Sequence, residues 1–162
     1  MKILIADGSP LVADRLMAGM KEIPEVEVLA AAGDALVTLA SVRAHKPEIV
    51  IVDARIAGAR KAHLLQTIRR ENPGIVLVVL SNLVYPQMGQ HYRAAGADLV
   101  VDKSNEFTHL YQFVREVLLN FQRSPGEKAK DGMRERLAAS KLKVGLQLVF
   151  LAFKAYSYVV GH

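Results

Sequence analysis

The 162-residue chain contains no cysteine. Disulfides, thiolate nucleophiles and cysteine-based metal sites are therefore excluded, and such a chain fits the cytoplasm. No secretory leader is expected, because Asp7 stops the apolar opening Met1 to Ala6 well before the length such a segment needs. There is no internal repeat and no low-complexity block. A glycine-rich phosphate loop is also lacking, which argues against a flavin- or nucleotide-binding α/β protein. The five histidines, His45, His63, His91, His109 and His162, have no metal-ligand spacing and read as surface residues.

What the chain does have is enough apolar sequence for a core: 51% of residues are hydrophobic and 23% charged. The formal net charge of +5 is unevenly spread. Residues 1–121 hold thirteen basic and thirteen acidic residues, whereas residues 122–162 hold eight basic and three acidic, which accounts for all of it. A basic tail suits nucleic acid, anionic lipid or an acidic partner, or is simply a solvated linker.

Within residues 1–121 two patterns alternate. Short runs rich in Val, Ile and Leu lie at Ile3–Ala6, Val26–Ala31, Ile49–Val52, Ile75–Leu80 and Leu99–Val101. Continuous rather than alternating apolar runs predict strands buried on both faces. Between them, helical spacing is marked by Leu11, Leu16 and Met20; by Leu36, Leu39, Ala40 and Val42; by Leu64, Leu65 and Ile68; and by Phe107, Leu110, Val114, Val117 and Phe121. Pro10, Pro47 and Asn72-Pro73-Gly74 punctuate the boundaries. Five strand–helix repeats predict a doubly wound α/β domain with a five-stranded parallel sheet.

In such sheets ligands sit at the carboxyl ends of the strands. Asp7 follows the first predicted strand, Asp53 ends the third, Ser81 the fourth, and Lys103 follows the fifth. A carboxylate can attack phosphorus to give an acyl phosphate. A hard cation such as Mg²⁺, with oxygen ligands from Asp7 and Asp53, would offset the repulsion between carboxylate and phosphoryl group. Lys103 offers a point charge to a phosphoryl oxygen and Ser81 a hydroxyl donor. The plainer readings are a helix N-cap for Asp7, a turn acid for Asp53, a surface lysine before an N-cap at Ser104 or Asn105, and a loop serine.

The segments carrying these residues resemble receiver domains of two-component response regulators. Ile3-Leu-Ile-Ala-Asp7-Gly-Ser-Pro-Leu-Val12 is similar to the acidic-pocket start of receivers that carry a LuxR-type helix-turn-helix. Ile51-Val-Asp53-Ala-Arg-Ile-Ala-Gly58 resembles the phosphoacceptor segment, Leu80-Ser81-Asn82 the hydroxyl switch position, and Ala94-Ala-Gly-Ala-Asp98 with Asp102-Lys103-Ser104 the segment ending in the family's lysine. The resemblance covers roughly residues 1–121. It implies the flavodoxin-like strand order 2-1-3-4-5, Asp53 as phosphoacceptor, Lys103 and Ser81 as phosphoryl contacts, and Mg²⁺ held by Asp7, Asp53 and the backbone carbonyl of Arg55. A histidine kinase or phosphotransfer protein would be the donor and an unidentified protein the downstream partner. The chain would not be an enzyme beyond slow Mg²⁺-dependent self-phosphorylation and self-dephosphorylation.

Three positions depart from the family pattern. Gly8 stands where a second acid, the direct metal ligand, is usual, and its loss is expected to weaken Mg²⁺ binding. Val100 replaces an aromatic that swings inward on phosphorylation, and Ala57-Gly58 replaces a Pro-Gly pair. These departures suit a rival reading, a pseudo-receiver that binds partners or dimerises constitutively. Tyr85, Tyr92 and Tyr111 read as packing or partner-face residues.

Residues 122–132 read as a linker and residues 133–162 as a basic, apolar helical tail. The 41 residues after position 121 fall short of a LuxR-type helix-turn-helix, which takes on the order of sixty, and this argues against sequence-specific DNA binding. In Leu142 to Val160, with Arg136 before it, the polar residues Arg136, Lys143, Gln147 and Lys154 share one narrow helical stripe. Such a helix would pack on the receiver or in a homodimer, or lie on a membrane surface with its lysines snorkelling. Its lysines argue against spanning.

Overall fold

The computed structural model describes residues 1–31, 33–56, 61–82, 86–103 and 107–122. The expectations for Ala57-Gly58, Tyr85, Ser104, Asn105, His162, most of the linker and the whole tail lie outside the described residues. Met1–Leu118 form a compact unit.

Strands and helices alternate: β1 (Lys2–Ala6), α1 (Pro10–Lys21), β2 (Glu27–Ala31), α2 (Ala35–His45), β3 (Ile49–Asp53), α3 (Lys61–Glu71), β4 (Val76–Ser81), α4 (Pro86–Ala94), β5 (Leu99–Asp102) and α5 (Thr108–Gln122). All pairings are parallel, and the strand order is β2-β1-β3-β4-β5, as expected. The central strands β3 and β4 are buried along their whole length and β1 beyond its first residue, whereas the edge strands β2 and β5 are partly exposed. This is why the inner runs read as uninterrupted Val, Ile and Leu.

Alternate residues of each strand point to opposite faces. Leu4, Ala6, Val50, Val52 and Leu77 join Val42 of α2 and Leu64 and Ile68 of α3 in one core cluster. The intervening Ile3, Ile5, Ile49 and Ile51 are fully buried too, as are Leu16 and Met20 of α1 and Leu110, Val114 and Val117 of α5. Helices α1 and α5 also touch through Tyr111, whose hydroxyl donates to the Arg15 carbonyl, and the Arg15 guanidinium lies 5.4 Å over the ring of Phe107, just before α5. Three apolar markers of the periodic pattern point outward: Leu11 and Leu36 are each 79% exposed, and Ala40 is exposed too. In α2 the inward face is Thr38 and Val42. Thr38 can be buried because its hydroxyl donates to the Asp34 carbonyl at 2.6 Å. Asp34 itself caps the helix, accepting from the Leu36 and Val37 amides.

Arg69 pins the amino-terminal edge of the sheet. Its guanidinium donates to the carbonyls of Pro73, Ile75 and Gly96 and to the Asp98 carboxylate, which also accepts the Leu77 amide at 2.9 Å. Gly96 has φ +107°, and a Cβ there would lie 3.2 Å from Cβ of Arg69. The segment Ala94-Ala-Gly-Ala-Asp98 therefore does structural work away from the site.

Candidate functional site

Parallel pairing places the carboxyl ends of β1, β3, β4 and β5 on one edge, so Asp7, Asp53, Ser81 and Lys103 share it. Asp53 is 2% exposed, and the side chains of Asp7 and Lys103 are 0% and 5% exposed. Buried charges persist only when paired, and these are. Nζ of Lys103 donates to Oδ2 of Asp7 at 2.5 Å and lies 2.9 Å from Oδ2 of Asp53. The ammonium thus bridges two carboxylates from different strands.

Asp7 does not cap α1. The N-cap position belongs to Ser9, with Pro10 following, and Oδ1 of Asp7 instead accepts the Ser9 amide at 2.8 Å. That bond fixes the loop carrying Gly8. A Cβ on Gly8 would come no closer than 3.9 Å to Gly33, an ordinary van der Waals distance. At Gly33, by contrast, a Cβ would lie 2.3 Å from Cα of Gly8. These two loops meet backbone to backbone.

Sequence reasoning gave Arg55 only a backbone role. Its amide donates to Oδ1 of Asp53 at 2.8 Å, and its side chain folds back into the site. Nε donates to Oδ2 of Asp53 at 2.9 Å, and Nη2 lies 3.9 Å from Oδ1 of Asp7. The side chain remains 63% exposed. A basic residue two positions after a strand-end aspartate was the available signal.

Burial pushes the Asp53 carboxyl upward. The Arg55 amide, the Lys103 ammonium and the Arg55 guanidinium outweigh this and hold it below the usual carboxylate range. Asp53 is therefore ionised at neutral pH, with its oxygens oriented by these donors.

Ser81 closes β4, one residue beyond Leu80, the register partner of Asp53, and its carbonyl accepts the Lys103 amide at 2.9 Å. Its hydroxyl lies close enough to the phenol of Tyr92 to influence its titration. Tyr92, on α4, is 2% exposed and packs with Ala54, Leu65, Val79, Ala95, Ala97 and the partly buried Val100. Burial and the nearby Asp53 charge push the phenol upward, and Ser81 partly offsets them. The position expected to lack an aromatic gate thus sits against an aromatic supplied by a helix. Of the histidines, His63 lies 3.5 Å from the Thr67 hydroxyl, one helical turn along α3.

Residues 3–115 match the family described as response regulator receiver domain. The chain belongs to that family. Receivers are in general signalling modules without enzymatic turnover, working in two-component systems. Among curated relatives, a protein-glutamate methylesterase/protein-glutamine glutaminase of Agrobacterium fabrum (strain C58) is 31% identical over 80 residues, 49% of this chain and 23% of that protein. A second protein of that name, from Myxococcus xanthus (strain DK1622), is 27% identical over 106 residues, 64% of this chain and 30% of that protein. The receiver thus spans less than a third of the length of the curated relatives it matches. In fold it is similar to the signal receiver domain of NarL from Mycobacterium tuberculosis, with a TM-score of 0.64 and 20% identity over 71% of this chain and 93% of that one.

Receiver domains generally bind Mg²⁺ at the phosphorylation site. Asp7 and Asp53 bring hard oxygen donors of the right kind. In this receiver, however, all four carboxylate oxygens are engaged by donors of the chain itself. Among the described residues no third acid or histidine joins them to hold a metal, and no buried side-chain polar atom lacks a partner. With the Arg55 guanidinium on both carboxylates, the donor set does not fit a resident divalent ion.

No helix among the described residues is long and apolar enough to cross a membrane.

Proposed function

We propose that this receiver is a phosphoacceptor module that takes a phosphoryl group on Asp53 from a histidine kinase or phosphotransfer protein and signals through a change of protein partner. The reading rests on one observation: a buried, ionised carboxylate at the end of β3 shares a nearly buried lysine ammonium with a second aspartate. In the transfer, an Asp53 oxygen forms a new bond to phosphorus as the P–N bond of the donor phosphohistidine breaks, and the departing ring nitrogen keeps the electron pair and takes a proton. Lys103 follows the phosphoryl oxygens as a point charge, and the Ser81 hydroxyl turns from Tyr92 toward them.

A second reading is a pseudo-receiver that acts constitutively in binding or dimerisation. The Arg55 side chain on Asp53 and the glycine at position 8 favour it. Intact mass after incubation with acetyl phosphate, with and without Mg²⁺, beside Asp53→Asn, decides between them. Phosphoryl transfer gives an adduct that the variant lacks. A folded chain that stays unlabelled while a control receiver is labelled rejects the first reading in favour of the second.

A further inference from the structure

The acid pocket contains a second cation beside Lys103, the Arg55 guanidinium. Asp7 and Asp53 contribute two negative charges, and Lys103 and Arg55 two positive ones, so the cluster is formally neutral. Two residues lead there: Gly8 stands where the family pattern has a second acid, and the Arg55 guanidinium brings a positive charge onto the pair. A Cβ at Gly8 would come no closer than 3.9 Å to Gly33, so that contact does not impose the glycine. The two cations grip the carboxylate pair differently. Lys103 joins Oδ2 of Asp7 to Oδ2 of Asp53 from within. Arg55 reaches Oδ2 of Asp53 and Oδ1 of Asp7 from the solvent side, with its side chain 63% exposed. A guanidinium is always charged and its planar fork suits carboxylates.

We infer that Arg55 is the resident counter-ion of this pocket, occupying the carboxylate pair in competition with a divalent cation, so that metal binds only by displacing it. The inference rests on the receiver reading of Asp7 and Asp53 and concerns what those carboxylates hold before any transfer. A dication arriving between them meets a neutral cluster in place of a net negative one and must also release the guanidinium. A unit charge a few ångströms from a dication in a near-aqueous dielectric changes its affinity by about tenfold. Once Arg55 is out of the way, the oxygens left for metal are those of Asp7 and Asp53 and the Arg55 main-chain carbonyl.

The test uses Mn²⁺ as the probe, with free Mn²⁺ read by electron paramagnetic resonance on the full 162-residue chain. Arg55→Gln should bind Mn²⁺ about tenfold more tightly than the unaltered chain, and adding Asp53→Asn to it should abolish the gain. Arg55→Lys, which keeps the charge, should recover most of the weak binding. An Arg55→Gln affinity within twofold of the unaltered chain, or weaker, overturns the inference. A second measurement needs no variant: in the unaltered chain, the Arg55 Nε–H resonance should shift during a Mg²⁺ titration with the same midpoint as the Asp53 amide. An Asp53 response without an Arg55 response also overturns it. Both readouts are independent of phosphorylation, so failure of Asp53 to accept a phosphoryl group leaves them standing.

Discussion

Replacing Lys103 by methionine keeps the length and apolar stem of the side chain and removes only the ammonium. The two carboxylates it bridges are almost wholly buried, at 2.5 and 2.9 Å from Nζ. Breaking a buried ion pair by deleting one partner costs about 3–5 kcal/mol, because the other charge is left uncompensated in a poor dielectric. Here two charges are left. Each still has a main-chain donor, from Ser9 to Asp7 and from Arg55 to Asp53, and the Arg55 side chain remains. These set the loss at the lower end, about 3 kcal/mol at pH 7, out of the roughly 5–15 kcal/mol that holds a domain together. The pH dependence supplies the check. In the unaltered receiver Asp53 titrates below its ordinary value. Its stabilising contribution is therefore complete above the unfolded value of about 3.9 and is lost as the pH falls through the lower, folded value. In Lys103→Met, burial is no longer offset by the lysine, so the carboxyl moves upward and protonates at a milder pH. The deficit should therefore shrink between pH 7 and about pH 4.5. Urea unfolding followed by circular dichroism at the two pH values measures both quantities. A deficit under about 1 kcal/mol, or one of equal size at both pH values, would refute the view that Lys103 neutralises the buried pair.

Arg69→Ala should cost about 3 kcal/mol in the same assay, because it strips the Asp98 carboxylate of its guanidinium at a site where both side chains are 13% exposed. Arg69→Lys should recover less than half, since an ammonium cannot reproduce the fork. Gly33→Ala should lower stability by about 1–3 kcal/mol by forcing two backbones apart, whereas Gly8→Ala should shift the thermal midpoint by less than a degree or two, as expected for a change worth well under 0.5 kcal/mol. Equal midpoints for the two glycine variants would contradict the contact geometry.

The strands were legible because burial on both faces leaves a run of Val, Ile and Leu that few other structures produce. Each predicted strand matches an observed one to within a residue at either end: the observed strands add the polar residues Lys2, Asp53, Ser81 and Asp102 and leave out Val26 and Ile75. Helix faces were less legible. Leu36 outranks Thr38 in hydrophobicity, yet the local bond to the Asp34 carbonyl lets Thr38 take the inner position. No apolar spacing marked α4, because its main inward anchor is the single aromatic Tyr92. At the site, the placement of Asp7, Asp53, Ser81 and Lys103 on one shared edge followed from strand ends. The Arg55 side chain did not, since a long exposed arginine can point anywhere and only the fold shows that it turns back.

Ser81 and Tyr92 meet where the edge of the sheet faces a helix that carries little else of its own into the core. A ligand that draws the Ser81 hydroxyl away changes the surroundings of a buried phenol, and a buried polar group that loses a partner costs about 1–3 kcal/mol. A tenfold change in an equilibrium needs only about 1.4 kcal/mol. Occupancy at the sheet edge and the seating of α4 are therefore two sides of one thermodynamic cycle. A protein that prefers α4 displaced must raise the affinity of the edge for its ligand by the same factor by which that ligand favours the protein.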